Sequence, residues 1–219
     1  MNSASWDVMA ELAKAGAVLT DSHFVYTSGK HGSSYINLDR ILPDIALMGR
    51  ACEQLAAPFV GEVEVVAAPA VGAIVLAVLT AQALSKGGLE VAAVWADKNS
   101  DGDLVVERAG FGRRLDGRAA LVVEDLITTG GSVKKVCGEV RRHGAQVVGV
   151  SAVCNRGGVT AEGLGVPRIE ALGAVGMAAF FPADCPMCAD RVPIVEDVGH
   201  GAAFRQDHPE HPGGFIRIG

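Results

Sequence analysis

The chain lacks a long apolar segment, an excess of positive charge and an even number of cysteines. Its longest apolar run, Ala73 to Leu84, is interrupted by Thr80 and Gln82 and is shorter than the roughly 20 residues that span a bilayer. A basic segment followed by an apolar one is missing near Met1, so no secretory signal is expected. The formal charge of −6 argues against a nucleic-acid-binding protein. Five cysteines, three of them in apolar or helical contexts, are typical of a reduced cytoplasmic protein.

The apolar content predicts a packed fold of the α/β class. With 219 residues and 49% hydrophobic composition, the chain fits one sizeable domain or one domain plus a small appendage. Beyond residue 60, short β-rich runs alternate with helical segments at about 72–86 and 131–143. The β-rich runs are Val63–Ala68, Val91–Ala96, Ala119–Glu124, Gln146–Val153 and Ile169–Val175. Because these runs lack polar alternation, they predict a mainly parallel central sheet flanked by helices.

Candidate site residues are expected where three predicted strands end. Glu124 and Asp125 follow one apolar run, and Pro69 and Lys98 follow two others. In open parallel sheets, ligands bind beyond the carboxyl ends of the strands. These residues are therefore expected to face one crevice.

The two ends of the chain differ from the middle. A helix is predicted near Trp6–Ala15, and a second after Pro43, because proline and Asp44 are good helix-start signals. The predicted organisation is an N-terminal cap over residues 1–60, a core over 61–181 and a C-terminal extension over 182–219. The cap is expected to be part of one domain with the core.

Residues 121–132 form the most informative segment. They are an apolar run ending in Glu124 and Asp125, then a small hydroxyl-rich loop, then a helical pattern. Backbone N–H groups at a helix N-terminus bind phosphate, and the acids could hold sugar hydroxyls or a metal ion. The pattern is neither G-x-x-x-x-G-K-[ST] nor G-x-G-x-x-G. It therefore predicts a joint phosphate and ribose site of another kind.

This segment resembles the phosphoribosyl-diphosphate (PRPP) signature of type I phosphoribosyltransferases. The resemblance implies their fold, with an N-terminal hood or cap subdomain. The loop residues implied to hold the 5′-phosphate of PRPP are Thr128, Thr129, Gly130, Gly131 and Ser132. Glu124 and Asp125 are implied to bind the ribose hydroxyls and to act in catalysis. Mg²⁺ is the implied cofactor, bound through PRPP, with Asp125 as the candidate protein ligand.

Three further segments are similar to parts of orotate phosphoribosyltransferases. In the stretch 24–37, the resemblance implies that Lys30 contacts PRPP and orotate and that Phe24 borders the base. A turn at 68–74 is similar to the diphosphate-binding turn of that family. Its implied PRPP-binding residues are Pro69, Ala70, Val71 and Gly72. Glycine there permits close approach of the anion to the backbone.

The third segment, Asn155 to Gly158, is similar to an Asp-Arg-Gly segment whose arginine meets orotate. Arg156 is suited to that task because its planar guanidinium can grip a carboxylate with two hydrogen bonds. Thr128 is the other residue implied to contact orotate. Asn155 stands where the family usually has an acid, which is a departure from the pattern.

The segment Asp97 to Arg108 departs from the family's catalytic loop. That loop often has two lysines, a histidine and an acid, whereas here there is a single lysine and no histidine. Lys98 is accordingly the residue expected to bind PRPP and neutralise the leaving diphosphate. Arg108 is a candidate helper, and Arg113 and Arg114 are either substitutes or ordinary surface residues. The loop is expected to close over the site.

Taken together, the segments imply transfer of a phosphoribosyl group from PRPP to orotate, a step of pyrimidine synthesis. Two alternatives stay open: a phosphoribosyltransferase for another nucleobase, and a non-catalytic PRPP-sensing regulator of the same fold. Phe24, Lys30 and Arg156 favour orotate. PRPP, orotate and a second copy of the chain in a homodimer are the expected partners, without nucleic acid or membrane, in the cytoplasm.

Cys185-Pro-Met-Cys188 has the spacing of metal ligands. A second C-x-x-C is missing from the sequence, so a complete zinc site would need further ligands. The candidates are His200, His208 and His211, or another subunit. A redox or disulfide pair and a plain structural turn are the alternatives.

Overall fold

The computed structural model describes residues 7–86, 88–174 and 178–218. These residues form two compact units, which are described separately. The first unit contains residues 7–9 and 42–174, and the second contains residues 10–41 and 178–218. Trp6, the first residue of the predicted N-terminal helix, lies outside the described residues, and so does Val175, the last residue of the predicted strand Ile169–Val175.

The regular elements are numbered in chain order. The helices are α1 (Val8–Lys14), α2 (Ile45–Ala56), α3 (Ile74–Leu84), α4 (Phe111–Leu115), α5 (Gly131–Arg142), α6 (Ala161–Leu164), α7 (Pro186–Ala189) and α8 (Gly201–Asp207). The strands are β1 (Val18–Leu19), β2 (Phe24–Val25), β3 (His31–Gly32), β4 (Tyr35–Ile36), β5 (Val65–Pro69), β6 (Ala92–Lys98), β7 (Leu104–Val105), β8 (Ala119–Ile127), β9 (Gln146–Asn155), β10 (Ile169–Gly173), β11 (Ile194–Val195) and β12 (Phe215–Ile216). No helix in the described part of the chain has the length and apolarity needed to cross a lipid bilayer.

The first unit is built on one sheet. Within the described residues it has six strands in the order β10-β9-β8-β5-β6-β7. Neighbouring strands are parallel except for β6 and β7, which form an antiparallel hairpin at the edge. The predicted α/β fold with a mainly parallel sheet is confirmed.

Helices cover both faces of this sheet. On one face, α5 buries Val133 and Val140 in a cluster that includes Val122 of β8. On the opposite face, α2 lies against β9, where the Ser151 hydroxyl donates to the carbonyl oxygen of Leu55 at 3.1 Å. Because successive residues of a strand point to opposite faces, a sheet covered in this way needs continuously apolar strands.

Helix α2 begins where the sequence predicts. Asp44 is its N-cap, and its Oδ1 accepts a hydrogen bond from the backbone N–H of Leu47 at 2.9 Å. The helix buries Met48, Ala51 and Leu55, which belong to the first unit. Residues 42–60, which were predicted to be part of the cap, therefore belong to the unit that contains the sheet.

The second unit combines the two ends of the chain. Its strands are two residues long and form the pairs β1–β4, β2–β3 and β11–β12. A small core contains Phe24, Tyr26, Val195 and Val198. The N-terminal stretch and the C-terminal extension, which were predicted as separate parts, thus fold as one compact unit.

The N-cap of α2 offers a test of this local structure. Asp44→Ala removes the acceptor of the Leu47 N–H and is expected to lower the free energy of unfolding by about 1 kcal/mol. Asp44→Asn keeps a side-chain oxygen and should lose much less. Urea unfolding of the three proteins measures the difference, and equal midpoints would contradict the capping role.

Candidate active site

The strand order reverses between β5 and β8. From β5 the chain continues to β6 and β7 on one side, and then returns to place β8, β9 and β10 on the other. Such a reversal leaves a crevice at the carboxyl ends of the two central strands. The turn that follows Pro69 and the loop that follows Ile127 both start at this crevice.

Strand β8 continues through the two acids. In the ladder with β9, Glu124 is opposite Ala152 and Leu126 is opposite Cys154. The prediction that the strand ends at the acids is wrong, because backbone pairing extends it to Ile127. Glu124 is buried, with 7% of its surface exposed, and Asp125 is partly buried.

The environment of Glu124 keeps its carboxyl group neutral. Burial, together with the charge of the neighbouring Asp125, raises the pKa of Glu124 to about 9. Its Oε1 accepts a hydrogen bond from the backbone N–H of Asp125 at 3.1 Å. Asp125 Oδ1 accepts one from the N–H of Leu126 at 2.6 Å. A protonated Glu124 can donate a hydrogen bond as well as accept one.

The turn after β5 lies against Asp125. A Cβ atom added to Gly72 would be 3.2 Å from Asp125 Oδ2, so a side chain at this position would press on the carboxylate. The N–H of Ala70 donates to the carbonyl oxygen of Ala96 at 2.8 Å, which fastens the turn to β6. The peptide bond between Ala70 and Val71 is cis. The predicted diphosphate turn and one predicted catalytic acid are therefore neighbours.

The predicted phosphate loop leads directly into α5. Gly130 is the N-cap and Gly131 is the first helical residue. The first N–H groups of a helix have no partner inside the helix, and its dipole favours an anion at this end. Thr129 and Ser132 are exposed, and Thr128 is partly exposed. The loop therefore has the groups and the accessibility that a phosphate seat requires.

The segment that carries Arg156 is fastened to the start of this loop. The backbone N–H groups of Arg156 and Gly157 both donate to the carbonyl oxygen of Ile127, at 2.9 and 3.1 Å. A Cβ atom on Gly157 would lie 1.5 Å from the carbonyl oxygen of Thr128, so only glycine fits here. This close packing places the half-buried Arg156 next to the phosphate loop.

Asn155 closes the turn that follows β9. Its Nδ2 donates to the carbonyl oxygen of Val159 at 2.8 Å, and its Oδ1 accepts from the N–H of Val159 at 3.0 Å. An ionised aspartate could make only the second of these bonds, because it has no N–H to donate. The departure from the family pattern thus has a structural role that the sequence alone did not reveal.

Lys98 is the exposed last residue of β6 and lies opposite Leu104 of β7 in the edge hairpin. The candidate helper Arg108 is engaged elsewhere, since it makes two hydrogen bonds to Asp97 at 2.6 and 3.0 Å. The guanidinium of Arg108 holds the pKa of Asp97 below its usual value. Arg114 forms an exposed ion pair with Glu90, and Arg113 is exposed. Lys98 remains the cationic candidate of this hairpin.

In the second unit, Phe24 and Lys30 have different environments. Phe24 was predicted to border the base, but its side chain is fully buried and packs against Tyr35 with ring centroids 5.7 Å apart. This burial corrects the prediction, because an aromatic residue in a small core has no ring face left for a ligand. Lys30 is half-buried, and its Nζ lies 4.6 Å from the centroid of the Phe181 ring.

Cys185 and Cys188 lie beside two histidines that were not among the predicted ligands. These are His23 and His31, and the four ligand atoms lie within 4.8 Å of one another. Burial and the nearby His23 lower the pKa of His31 to about 4, so its imidazole is neutral. The ring of His211 contacts the ring of His23 edge-to-face, with ring centroids 5.9 Å apart. His200 and His208 are also outside this group of four.

The fold and this arrangement of strand ends define a class of protein. A family model described as the phosphoribosyl transferase domain matches residues 38–164, and the chain belongs to that family. Within it, the chain is a member of the orotate phosphoribosyltransferases. The orotate phosphoribosyltransferase of Pelotomaculum thermopropionicum is 36% identical over 191 residues, which cover 87% of this chain and 95% of that protein.

Solved structures agree with this membership. Orotate phosphoribosyltransferase from Aeropyrum pernix superposes with a TM-score of 0.61 at 26% identity, covering 76% of this chain and 93% of that one. The Mycobacterium tuberculosis H37Rv enzyme, solved in complex with PRPP, has a TM-score of 0.56 at 26% identity. That match covers 77% of this chain and 96% of the other. The type I fold is thereby confirmed.

The neutral Glu124 predicts an unusual pH dependence of stability. Its pKa is 4.5 when unperturbed and about 9 in the folded protein, so between these values the folded state holds a proton that the unfolded chain has released. Stability from this group is complete below the lower value and is lost as pH rises toward the higher one. Glu124→Gln is therefore expected to stabilise the unliganded protein at pH 8 and to have little effect at pH 5.

Thermal unfolding at the two pH values measures this effect, and the gain should not exceed about 1.4 kcal/mol per pH unit. Glu139→Gln is a control for which the opposite change in stability is expected. Glu139 bonds to Arg142 and to the N–H of Val106, which lowers its pKa to about 2. Its removal should destabilise the protein at pH 8. Parallel pH profiles for wild type and Glu124→Gln would contradict the burial argument.

Proposed function

We propose that this protein transfers the 5-phosphoribosyl group of PRPP to orotate, giving orotidine 5′-monophosphate and diphosphate in de novo pyrimidine synthesis. The observation that carries the proposal is the junction at the Ile127 carbonyl oxygen. Through it, the segment with Arg156 is bonded to the strand end where the phosphate loop begins. The loop proposed to bind the phosphate and the residue proposed to bind the carboxylate therefore belong to neighbouring backbone segments.

The donor would be bound by three parts of the first unit. The 5′-phosphate lies on the loop from Thr128 to Ser132, at the N-terminus of α5. The ribose hydroxyls lie on Glu124 and Asp125, where a neutral Glu124 donates to one oxygen and accepts from the next. The diphosphate lies on the turn from Pro69 to Gly72. The PRPP complex of the Mycobacterium tuberculosis relative supports this choice of donor.

The reaction is a displacement at the anomeric carbon of the ribose. The bond from that carbon to the diphosphate oxygen breaks, and a bond to a ring nitrogen of orotate forms, with the proton of that nitrogen released to the diphosphate or to solvent. The carbon gains positive character in the transition state, which Asp125 stabilises, while Lys98 neutralises charge on the leaving diphosphate. The chain's remaining contribution is to position the two substrates.

Mg²⁺ is the cofactor we propose, and the residues present fit it. Partly exposed Asp125 offers a carboxylate of the kind that Mg²⁺ prefers, and Gly72 leaves room beside it. The ion would be held by Asp125 and by oxygens of PRPP. When bound, it neutralises charge on the diphosphate.

The acceptor is assigned through Arg156. Orotate differs from uracil by a carboxylate, and a guanidinium recognises that group with two parallel hydrogen bonds. The contacts of Lys30 with PRPP and orotate, the homodimer and the cytoplasmic location stay predictions from the resemblance.

An absorbance assay of orotate consumption with PRPP and Mg²⁺ tests the proposal. Uracil, adenine and hypoxanthine serve as alternative acceptors. Consumption of adenine or hypoxanthine in place of orotate would favour a phosphoribosyltransferase for another base. PRPP binding without transfer to any of the four would favour a sensing role.

Asp125 is expected to be essential for turnover. Asp125→Asn removes the negative charge beside the anomeric carbon, so kcat should fall well over tenfold while the thermal unfolding midpoint changes little. The exposed Asp116→Asn is the matched control and should leave kcat unchanged. Near-wild-type turnover of Asp125→Asn would remove this residue from the mechanism.

Arg156 is expected to determine the choice of base. Arg156→Lys keeps the charge but loses the planar fork, so kcat/KM for orotate should fall by more than about tenfold, or 1.4 kcal/mol. The KM for PRPP should change little. Arg113→Lys, on the exposed face of α4, is the control. If the KM for PRPP worsened as much as kcat/KM for orotate, the substitution would have damaged the phosphate loop rather than the recognition of orotate.

A further inference from the structure

Four metal-binding side chains converge in the second unit, far from one another in the sequence. His23 precedes β2, His31 begins β3, Cys185 is the N-cap of the short helix α7, and Cys188 lies within that helix. His23, His31 and Cys185 are buried, and Cys188 is partly buried. None of these four side chains has a role in the transfer reaction described above.

The distances within this group match one tetrahedral ion. Zinc–nitrogen bonds of about 2.0 Å and zinc–sulfur bonds of about 2.3 Å place sulfur and nitrogen ligands about 3.6 Å apart. Here the Nε2 of His23 is 3.6 Å from Cys185 Sγ and 3.7 Å from Cys188 Sγ. The Nδ1 of His31 is 3.3 Å from Cys188 Sγ. The two nitrogens are 2.9 Å apart, which a small rotation of either ring brings to the tetrahedral value of about 3.3 Å.

We propose that His23, His31, Cys185 and Cys188 bind one Zn²⁺ ion that stabilises the second unit. Two thiolate and two imidazole ligands are a usual set for structural zinc. Four protein ligands fill the coordination sphere and leave no position for water or a substrate. The ion is therefore structural and separate from the Mg²⁺ proposed for the reaction.

The surroundings of His23 are those of a metal ligand. Its Nδ1 lies 2.8 Å from the carbonyl oxygen of Val192, so this nitrogen carries the proton and donates. The other ring nitrogen, Nε2, is then left with a lone pair directed into the cluster. Metal-bound histidines commonly make such an outer hydrogen bond, which fixes the tautomer and the ring orientation. Val192 follows the Cys-x-x-Cys segment by four residues, so one chain segment supplies both the thiols and this acceptor.

Without an ion, the cluster is a costly arrangement. The Nε2 of His23, the Nδ1 of His31 and the two sulfurs face one another at the centre of the cluster. Burying polar atoms with few good partners destabilises a protein, whereas coordination would bind all four of them.

The compactness of the cluster favours a single zinc ion over an iron–sulfur cluster. A two-iron centre with two histidines and two cysteines places the pairs on different iron atoms. That would separate the histidine nitrogens from the cysteine sulfurs, yet all four atoms lie within 4.8 Å of one another here.

The second unit has a clear need for such an ion. Its strands have two residues each, and its apolar core is small. Small folds of this kind are commonly stabilised by disulfides or a structural metal. Zinc would cross-link the stretch 10–41 to the stretch 178–218, which the sequence separates by more than a hundred residues.

Metal analysis of the full-length chain, produced without a histidine tag, tests the proposal. We expect about one zinc per chain and, after replacement by Co²⁺, the intense visible absorption of tetrahedral thiolate-bound cobalt. Cys185→Ser, Cys188→Ser and His31→Ala should each weaken zinc binding by more than about 100-fold, the upper end of what losing an outer-shell partner costs. Cys137→Ala and His200→Ala are the matched controls and should keep the zinc.

Chelation of the wild-type protein should also lower its thermal unfolding midpoint, and added zinc should restore it. This measurement does not depend on any variant folding. Three results would overturn the proposal: wild-type protein that binds zinc no more tightly than Cys185→Ser, iron in place of zinc, or a Cys185–Cys188 disulfide in protein purified without reductant.

Discussion

The burial of one of two adjacent carboxyl groups in a parallel strand is the constraint around which the site is arranged. A strand that continues the sheet must carry its side chains to both faces, so Glu124 enters the apolar interior while Asp125 faces the turn after β5. The interior tolerates Glu124 because its carboxyl group stays neutral. The neutral carboxyl group can both donate and accept hydrogen bonds, whereas an ionised one could only accept them.

Local patterns were sufficient to predict the framework. Continuous apolar runs identified the strands of the central sheet, and Asp44 marked the first residue before α2. The end of β8 was not predictable in the same way. Its last residues, up to Ile127, are held by backbone hydrogen bonds to β9, and those bonds leave no signal in the order of polar and apolar side chains. The prediction that Phe24 borders the base was wrong for a related reason, since an aromatic ring can equally well fill a core or border a ligand.

Long-range proximity accounts for the other omissions. The spacing of Cys185 and Cys188 indicated a metal site, but a local reading could only add histidines that follow closely in the sequence. The histidines that the fold brings there, His23 and His31, come from the opposite end of the chain. Nothing in the sequence around them records that the two ends form one compact unit. The same limitation concealed the role of Asn155, because its partner is a backbone turn and not a ligand.

The junction between Ile127 and Gly157 has a consequence for how this protein can diverge. The turn that follows β9 and the phosphate loop share a carbonyl oxygen and touch without room for a single methyl group. An inserted or deleted residue in the turn would therefore shift the phosphate seat along with Arg156. Acceptance of a new base must then come through exchange of side chains on an unchanged backbone. The phosphate loop therefore constrains the length of the segment that we propose selects the base.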